Sequence, residues 1–230
     1  MTEKNASFVI TIDGPSGSGK GSLALRLAEQ FGFNLLDSGA IYRLAALKVI
    51  QKSADLNDES SVLDAITDID IRFEIGESLS IPFLDGSDVS TQIREQPISE
   101  AASVIAQYSG VREQLLTLQQ DCFQAPGLVA DGRDLGTVVF PQAKFKFFLN
   151  ASVEIRAQRR YNQLNAMGIS SNISQLQADI AERDERDRNR TESPLLPASD
   201  AIVVDSSMLD LEQVIDLVTA HINQEIIEKT

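Results

Sequence analysis

Cysteine and histidine occur once each in the 230 residues, as Cys122 and His221, and tryptophan does not occur. One cysteine excludes an intrachain disulfide framework and a thiolate metal cluster, and it fits a reducing cytosol. His221 falls in an amphipathic stretch near the C-terminus, where a packed or solvated helical residue is expected rather than a catalytic base. Basic residues are scarce: 20 Lys and Arg against 34 Asp and Glu give a formal net charge of −14. That balance argues against general binding to nucleic acid or to an anionic membrane, although a few arginines focused into one cleft can still hold a phosphate. No apolar run reaches bilayer-spanning length. Met1 to Ser7 is polar and the first apolar run, Phe8 to Ile12, has five residues, so no secretory signal is expected. Repeats and low-complexity segments are also missing. What remains is a chain of 43% apolar residues, long enough for one α/β core with an insertion or for two small domains.

The most informative stretch is Gly14-Pro15-Ser16-Gly17-Ser18-Gly19-Lys20-Gly21, a glycine, four residues, glycine and lysine. It lies between the apolar Phe8 to Ile12 and the amphipathic Leu23 to Phe31. Strand, glycine-rich turn and helix is the setting in which backbone N–H groups converge on a polyphosphate at a helix N-terminus. Lys20 would add a mobile charge for the outer phosphates. The competing interpretation, a close-packed turn that binds nothing, leaves the lysine without a purpose. Gly21 stands where a hydroxyl residue often follows the lysine, so a magnesium contact would pass to Ser22 or to water.

Further apolar runs at Phe33 to Leu36, Gly127 to Ala130, Lys144 to Leu149 and Ala201 to Val204 complete five buried strands with helices between them. They predict a doubly wound parallel sheet, α/β in class, with its ligands at the strand carboxyl ends. Asp37, Ser38, Tyr42 and Arg43 would sit at that edge, and so would the charged cluster Asp131-Gly132-Arg133-Asp134. Between residues 64 and 95, short alternating runs at Asp70 to Ile75, Leu79 to Leu84 and Val89 to Ile93 predict an inserted antiparallel meander, turning at Gly76 to Ser78 and at Asp85 to Asp88. Helical pattern resumes over Ile98 to Phe123, carrying Ser103 and Arg112. A helix over Ala151 to Leu164 puts Arg156, Arg159 and Arg160 on one face. After a break at Met167 to Asn172, a charged helix over Ser174 to Arg190 aligns Arg183, Asp187 and Arg190. That helix could instead be a solvated one laced by Arg183–Asp187 and Asp184–Arg188 pairs. A terminal helix spans Leu209 to Ile227.

A site poor in bases and rich in arginine suits phosphoryl transfer to an acceptor that is already an anion, where positioning and charge neutralisation dominate. Arginines on two helices joined by a breakable loop suit a lid that excludes water. Four stretches then carry a family resemblance: Ile12 to Gly21, Leu36 to Arg43, Ala130 to Pro141 and Glu182 to Arg190. In these the chain resembles the bacterial cytidylate kinases, of the nucleoside monophosphate kinase family, from about Phe8 to the terminal helix. Lysine, glycine, then hydroxyl is common among monophosphate kinases, which makes Ser22 the expected hydroxyl.

The resemblance implies a P-loop core (residues 1–37, 100–150 and 191–230), a monophosphate-binding insertion (38–99) and a helical lid (151–190). It implies that Gly14 to Ser22, with Arg156 and Arg159, bind ATP, and that Lys20, Arg133, Arg183 and Arg190 are the catalytic cations. Ser38, Arg112 and Asp134 would contact the cytosine nucleotide, with Ser103 near the base and Tyr42, Arg43, Asp131 and Arg133 around it. Arg183 and Asp187 would hold its sugar and phosphate. Ser22 and Asp131 are the candidate magnesium ligands. The implied activity is transfer of the γ-phosphoryl group of ATP to CMP or dCMP by a cytoplasmic monomer. A P-loop kinase of another nucleotide or small metabolite is the alternative, followed by a nucleotide-binding switch module.

Overall fold

The middle strands of the parallel sheet read as nearly continuous apolar runs because both their faces are covered. In the computed structural model, which describes residues 7–75, 80–166 and 168–228, β1 (Val9–Asp13) is buried along its whole length. So is β6 (Leu128–Gly132). With β2 (Asn34–Asp37), β7 (Phe145–Asn150) and β8 (Ile202–Asp205) they form a five-stranded sheet ordered β2-β6-β1-β7-β8. The β1–β6, β1–β7 and β7–β8 pairings are parallel, with Ile12 opposite Asp131 and Asp13 opposite both Gly132 and Phe148. The expected α/β class and five strands are therefore observed.

The chain divides into two compact units, Met1–Leu36 with Asp121–Thr230, and Asp37–Gln120. In the first, α1 (Lys20–Phe31) buries Leu23, Ala24, Leu27 and Ala28, while α8 (Leu211–Glu228) contributes Val214, Ile215, Val218 and Ile222 to the same core. Ile10, Ile12, Phe145, Phe147 and Leu149 join them from the sheet. Fully burying each such side chain contributes about 1.5–3 kcal/mol. The same unit holds α6 (Val153–Ala166) and α7 (Ile173–Arg188). Arg190, expected on the second of these helices, lies two residues beyond its end.

The second unit contains α2 (Ser38–Gln51), whose N-cap Asp37 accepts from Ala40 N at 2.9 Å. A short helix over Glu59–Ile66, α3, was not foreseen, and it leaves the meander to begin at Ile71. Asp58 caps it by accepting from Ser60 and Ser61 N. The meander is antiparallel as expected: β3 (Ile71–Ile75) pairs with β4 (Ser80–Leu84), and β4 with a two-residue β5 (Ser87–Asp88). The third expected run, Val89 to Ile93, is not a strand; the chain leaves the sheet at Asp88 and coils into a single 3₁₀ turn at Gln92–Arg94. The Gly76 to Ser78 turn, Leu79 and Met167 lie outside the described residues, as do residues 1–6.

The helical region expected over Ile98 to Phe123 is two helices, α4 (Gln96–Ile105) and α5 (Ser109–Asp121). At the break a distant side chain replaces a helical acceptor. In one continuous helix the Gly110 amide would donate to Ala106 O, but it donates to the Glu59 carboxylate at 2.8 Å. Ala106 O accepts instead from Arg112 Nη1 at 3.4 Å.

Candidate active site

Between Asp13 and Lys20 the chain leaves β1 by a route open only to glycine at its first step. A Cβ on Gly14, whose φ is +151°, would stand 2.1 Å from Leu149 O, so the turn presses directly on β7. At the far end Gly19 caps α1 in a left-handed conformation without a side-chain acceptor, which leaves the helix N-terminus as a donor surface.

The loop carbonyls are held from behind. Ser16 O accepts from Arg156 Nη1 at 2.9 Å, and Ser18 O accepts from Arg159 Nη1 and Ser206 Oγ, each at 3.2 Å. In a trans peptide the carbonyl and the following N–H point opposite ways. Holding Ser16 O and Ser18 O therefore turns the amides of Gly17 and Gly19 to the other side, the orientation an anion requires. Lys20 Nζ donates to Pro15 O at 3.1 Å, within the same loop.

Arg156 is buried and engaged on several sides. Its Nε donates to Ala151 O, and its two terminal nitrogens grip both oxygens of Asp184. Asp184 is buried as well, so in place of the Asp184–Arg188 pair of the alternative solvated-helix reading there is a buried tie between α6 and α7. Arg159 reaches Ser206 O at 2.7 Å and Leu209 O at 3.3 Å in addition to Ser18. Arg160 points elsewhere and pairs with Gln163.

The charged cluster after β6 meets the end of α7. Arg133 Nε donates to Asp187 Oδ2 at 2.8 Å, with the Asp187 side chain 6% exposed. Burial acts to raise the Asp187 pKa, but Arg133, with Arg190 and Arg183 behind it, holds the carboxyl below the usual range. Arg190 Nε donates back to Asp187 O at 3.3 Å. Arg133, Arg183, Asp187 and Arg190 are thus one electrostatic group.

Asp131 and Asp134 are both buried. A Cβ placed on Gly21 would stand 3.8 Å from Asp131 Oδ2, so this carboxylate lies beside the first turn of α1, one residue from the exposed Ser22. A hard carboxylate and a hydroxyl next to a phosphate-binding turn fit magnesium, which keeps several waters and takes few protein oxygens.

Within the second unit, Ser38 is buried and its Oγ donates to Gln119 Oε1 at 2.6 Å. Arg43 pairs with Asp37 at 2.8 Å, and the Arg112 guanidinium lies 5.8 Å from the centre of the Tyr42 ring. Ser103 is buried on α4.

The family model described as cytidylate kinase matches residues 10–224. The chain belongs to the cytidylate kinase family. The protein named cytidylate kinase from Shewanella halifaxensis is 50% identical over 220 residues, which span 95% of this chain and 96% of that one. Cytidylate kinase 1 of Haemophilus influenzae is 51% identical over 219 residues, covering 94% of each chain. That of Pasteurella multocida is 50% identical over 219 residues, covering 95% and 96%.

Membership also sets in relief the residues that sequence reasoning passed over. Asp13, Gln119, Asp184 and Ser206 are all buried polar or charged groups packed against expected site residues. An acidic residue ending an otherwise apolar strand was a readable signal for Asp13. Gln119 and Ser206 carry no such mark, because their partners are 81 and 188 residues away.

Proposed function

We propose that this member of the cytidylate kinase family transfers the γ-phosphoryl group of ATP to CMP or dCMP, giving ADP and CDP or dCDP. The observation that carries the donor half is the loop from Gly14 to Gly19, with its Ser16 and Ser18 carbonyls held by arginines so that amides turn toward a polyphosphate. Gly14 to Ser22 bind the donor phosphates, with Arg156 and Arg159 supporting the loop. Lys20 exchanges its bond to Pro15 O for phosphate oxygens. Magnesium held by Ser22 and Asp131 would neutralise donor phosphate charge.

Arg133, Arg183 and Arg190 surround Asp187 and place positive charge where the phosphoryl group travels. Asp187 keeps them from scattering and takes the acceptor's sugar, so Arg183 meets the acceptor phosphate. Ser38, Tyr42, Arg43, Ser103, Arg112, Asp131, Arg133 and Asp134 serve the acceptor. The Asp134 carboxylate accepts from the exocyclic amine of cytosine. Uracil offers a carbonyl at that position, and facing it costs on the order of 1–3 kcal/mol, about ten- to hundredfold in preference. Helices α6 and α7 form the lid that keeps water from the transferring group.

The chain works on dissolved nucleotides in the cytoplasm as a monomer, without nucleic acid or membrane. The net charge of −14 supports the lack of nucleic-acid and anionic-membrane partners, and no helix among the described residues is long and apolar enough to cross a membrane. A coupled assay of ADP production over a panel of monophosphates tests the reading: CMP and dCMP are expected to lead in kcat/KM. Equal turnover of UMP and AMP would overturn the specificity, and nucleotide binding without transfer would overturn the activity.

A further inference from the structure

Asp13 is a carboxylate of β1 that neither the loop motif nor the arginine group uses, and it is among the most deeply buried charges of the first unit. Its two oxygens accept from consecutive backbone amides on another segment, Leu135 N at 2.9 Å and Gly136 N at 2.8 Å. Those amides open a single π-helical turn, Leu135–Val139, and opening amides of a helical turn have no partner within it. Asp13 therefore caps, from the neighbouring strand, the turn that begins directly after Asp134.

The Asp134 backbone is fixed from its other side too. Its carbonyl accepts from Val138 N at 2.8 Å, Val139 N at 3.3 Å and Thr137 Oγ1 at 3.2 Å. The turn is pressed onto β1: a Cβ on Gly136 would stand 2.9 Å from Thr11 Oγ1 and 3.3 Å from Asp13 Oδ2. Asp13 also precedes Gly14, the first residue of the phosphate loop. One side chain thus ties the root of the donor loop to the root of Asp134.

We infer that Asp13 is a positioning residue for cytosine recognition, setting the place of the Asp134 carboxylate through the Leu135 and Gly136 amides. The inference rests on the reading of Asp134 as the group that accepts from the cytosine amine. Burial works to keep Asp13 neutral, the two amides work to keep it ionised, and the Asp134 and Lys20 charges act on it in opposite directions. Lys146 passes close by, its Cδ 3.3 Å from a Cβ placed on Gly136. An amide in place of the carboxylate can accept at only one of its two positions and presents N–H to N–H at the other. Asp13→Asn should therefore shift the turn while keeping size and burial.

The test is steady-state kinetics with CMP and UMP at saturating ATP on wild type, Asp13→Asn, Asp134→Ala and the double variant, each checked for folding by circular dichroism. Asp13→Asn is expected to raise KM for CMP about tenfold and to narrow the CMP-to-UMP ratio of kcat/KM about as much, with KM for ATP within about twofold of wild type. The double variant should have the ratio of Asp134→Ala alone, since the two act in series. An Asp13→Asn ratio equal to wild type, alongside a changed ratio in Asp134→Ala, overturns the inference. An unchanged ratio in Asp134→Ala overturns the reading of Asp134 itself, and the specificity role of Asp13 falls with it. If Asp13→Asn does not fold, Gly136→Ala disturbs the same contact from the opposite side. It is expected to narrow the ratio, and a ratio left at the wild-type value overturns the inference. Amide hydrogen exchange gives an independent readout: faster exchange at Leu135 and Gly136 in Asp13→Asn supports the capping contact, and unchanged protection overturns it.

Discussion

Removing Arg156 separates what holds the protein together from what aligns the phosphate loop. The side chains of Arg156 and Asp184 are 2% and 4% exposed, and the guanidinium makes four bonds: to Ala151 O, to Ser16 O and to both Asp184 oxygens. Deleting one partner leaves the other charge buried and uncompensated, which costs about 3–5 kcal/mol. Arg156→Met and Asp184→Leu alone are each expected to lose stability on that scale in a urea or guanidinium titration. This is a large part of the 5–15 kcal/mol that typically stabilises a fold. The double variant replaces both charges with apolar groups of similar size, a change that is often near neutral. It should therefore recover most of the loss, a coupling energy of several kcal/mol. Activity should not recover with it, because no donor then holds Ser16 O and the loop amides lose their orientation. A stable double variant with KM for ATP raised about tenfold or more is the expected result. Single variants that lose under about 1 kcal/mol, or a double variant with normal KM for ATP, would refute the reasoning.

Lys20→Ala is expected to lose turnover by about a hundredfold or more with the fold retained, measured by the coupled assay and circular dichroism; near-normal turnover would remove its role. Gly14→Ala must move either the loop or β7, since its Cβ would meet Leu149 O at 2.1 Å, and it should lower both stability and ATP affinity. The pH dependence of stability carries two opposite signs. Burial pushes the Asp13 carboxyl up from 3.8 to about 6, so the folded state binds the extra proton between those values. The contribution of Asp13 is thus full below about pH 4 and falls by about 3 kcal/mol as pH rises to about 6. Asp187, held low by its arginines against its own burial, contributes above the ordinary carboxylate value and loses that contribution as pH falls through its folded value. Denaturation curves of wild type and Asp13→Asn across pH 3–7 should differ by a decline that only wild type shows between about pH 4 and 6; a wild-type rise there relative to the variant would contradict the assignment.

The central strands β1 and β6 were legible because a parallel strand covered on both faces has to be apolar nearly throughout, whereas β2 and β8, partly exposed, were legible as short apolar runs bounded by turn residues. The phosphate loop was legible because its glycines answer a steric demand, seen at Gly14. The charged helix α7 was legible as a helix but not as a set of contacts. Sequence spacing offers Asp184 and Asp187 only neighbours three or four residues away. Their partners, Arg156 and Arg133, are 28 and 54 residues distant, and burial makes those distant pairs the stronger ones. The short α3 was hidden for another reason: over Glu59–Ile66 only Val62, Ala65 and Ile66 are buried, too brief a stripe to stand out from loop. The split between α4 and α5 depended on the Glu59 side chain, 51 residues from the amide it takes.

The same contacts sort the arginines by the charge they leave uncancelled. Arg156 and Arg159 both grip loop carbonyls, yet they differ in what else they touch. Arg156 is neutralised by Asp184, so what it supplies to the loop is geometry more than field. The hydrogen bonds of Arg159 run to neutral oxygens, those of Ser18, Ser206 and Leu209, and among the described residues no carboxylate pairs with it, so its positive charge stands beside the loop. Arg133 also meets a carboxylate, Asp187, but that one carboxylate faces Arg183 and Arg190 as well, so the group keeps a net positive charge. An acidic protein with a net charge of −14 can in this way focus positive potential on one loop while the buried Arg156–Asp184 pair stays electrically quiet. Position along the chain could not separate Arg156 from Arg159, which lie three residues apart on one helix. What divides them is Asp184, placed by the fold against one and not the other.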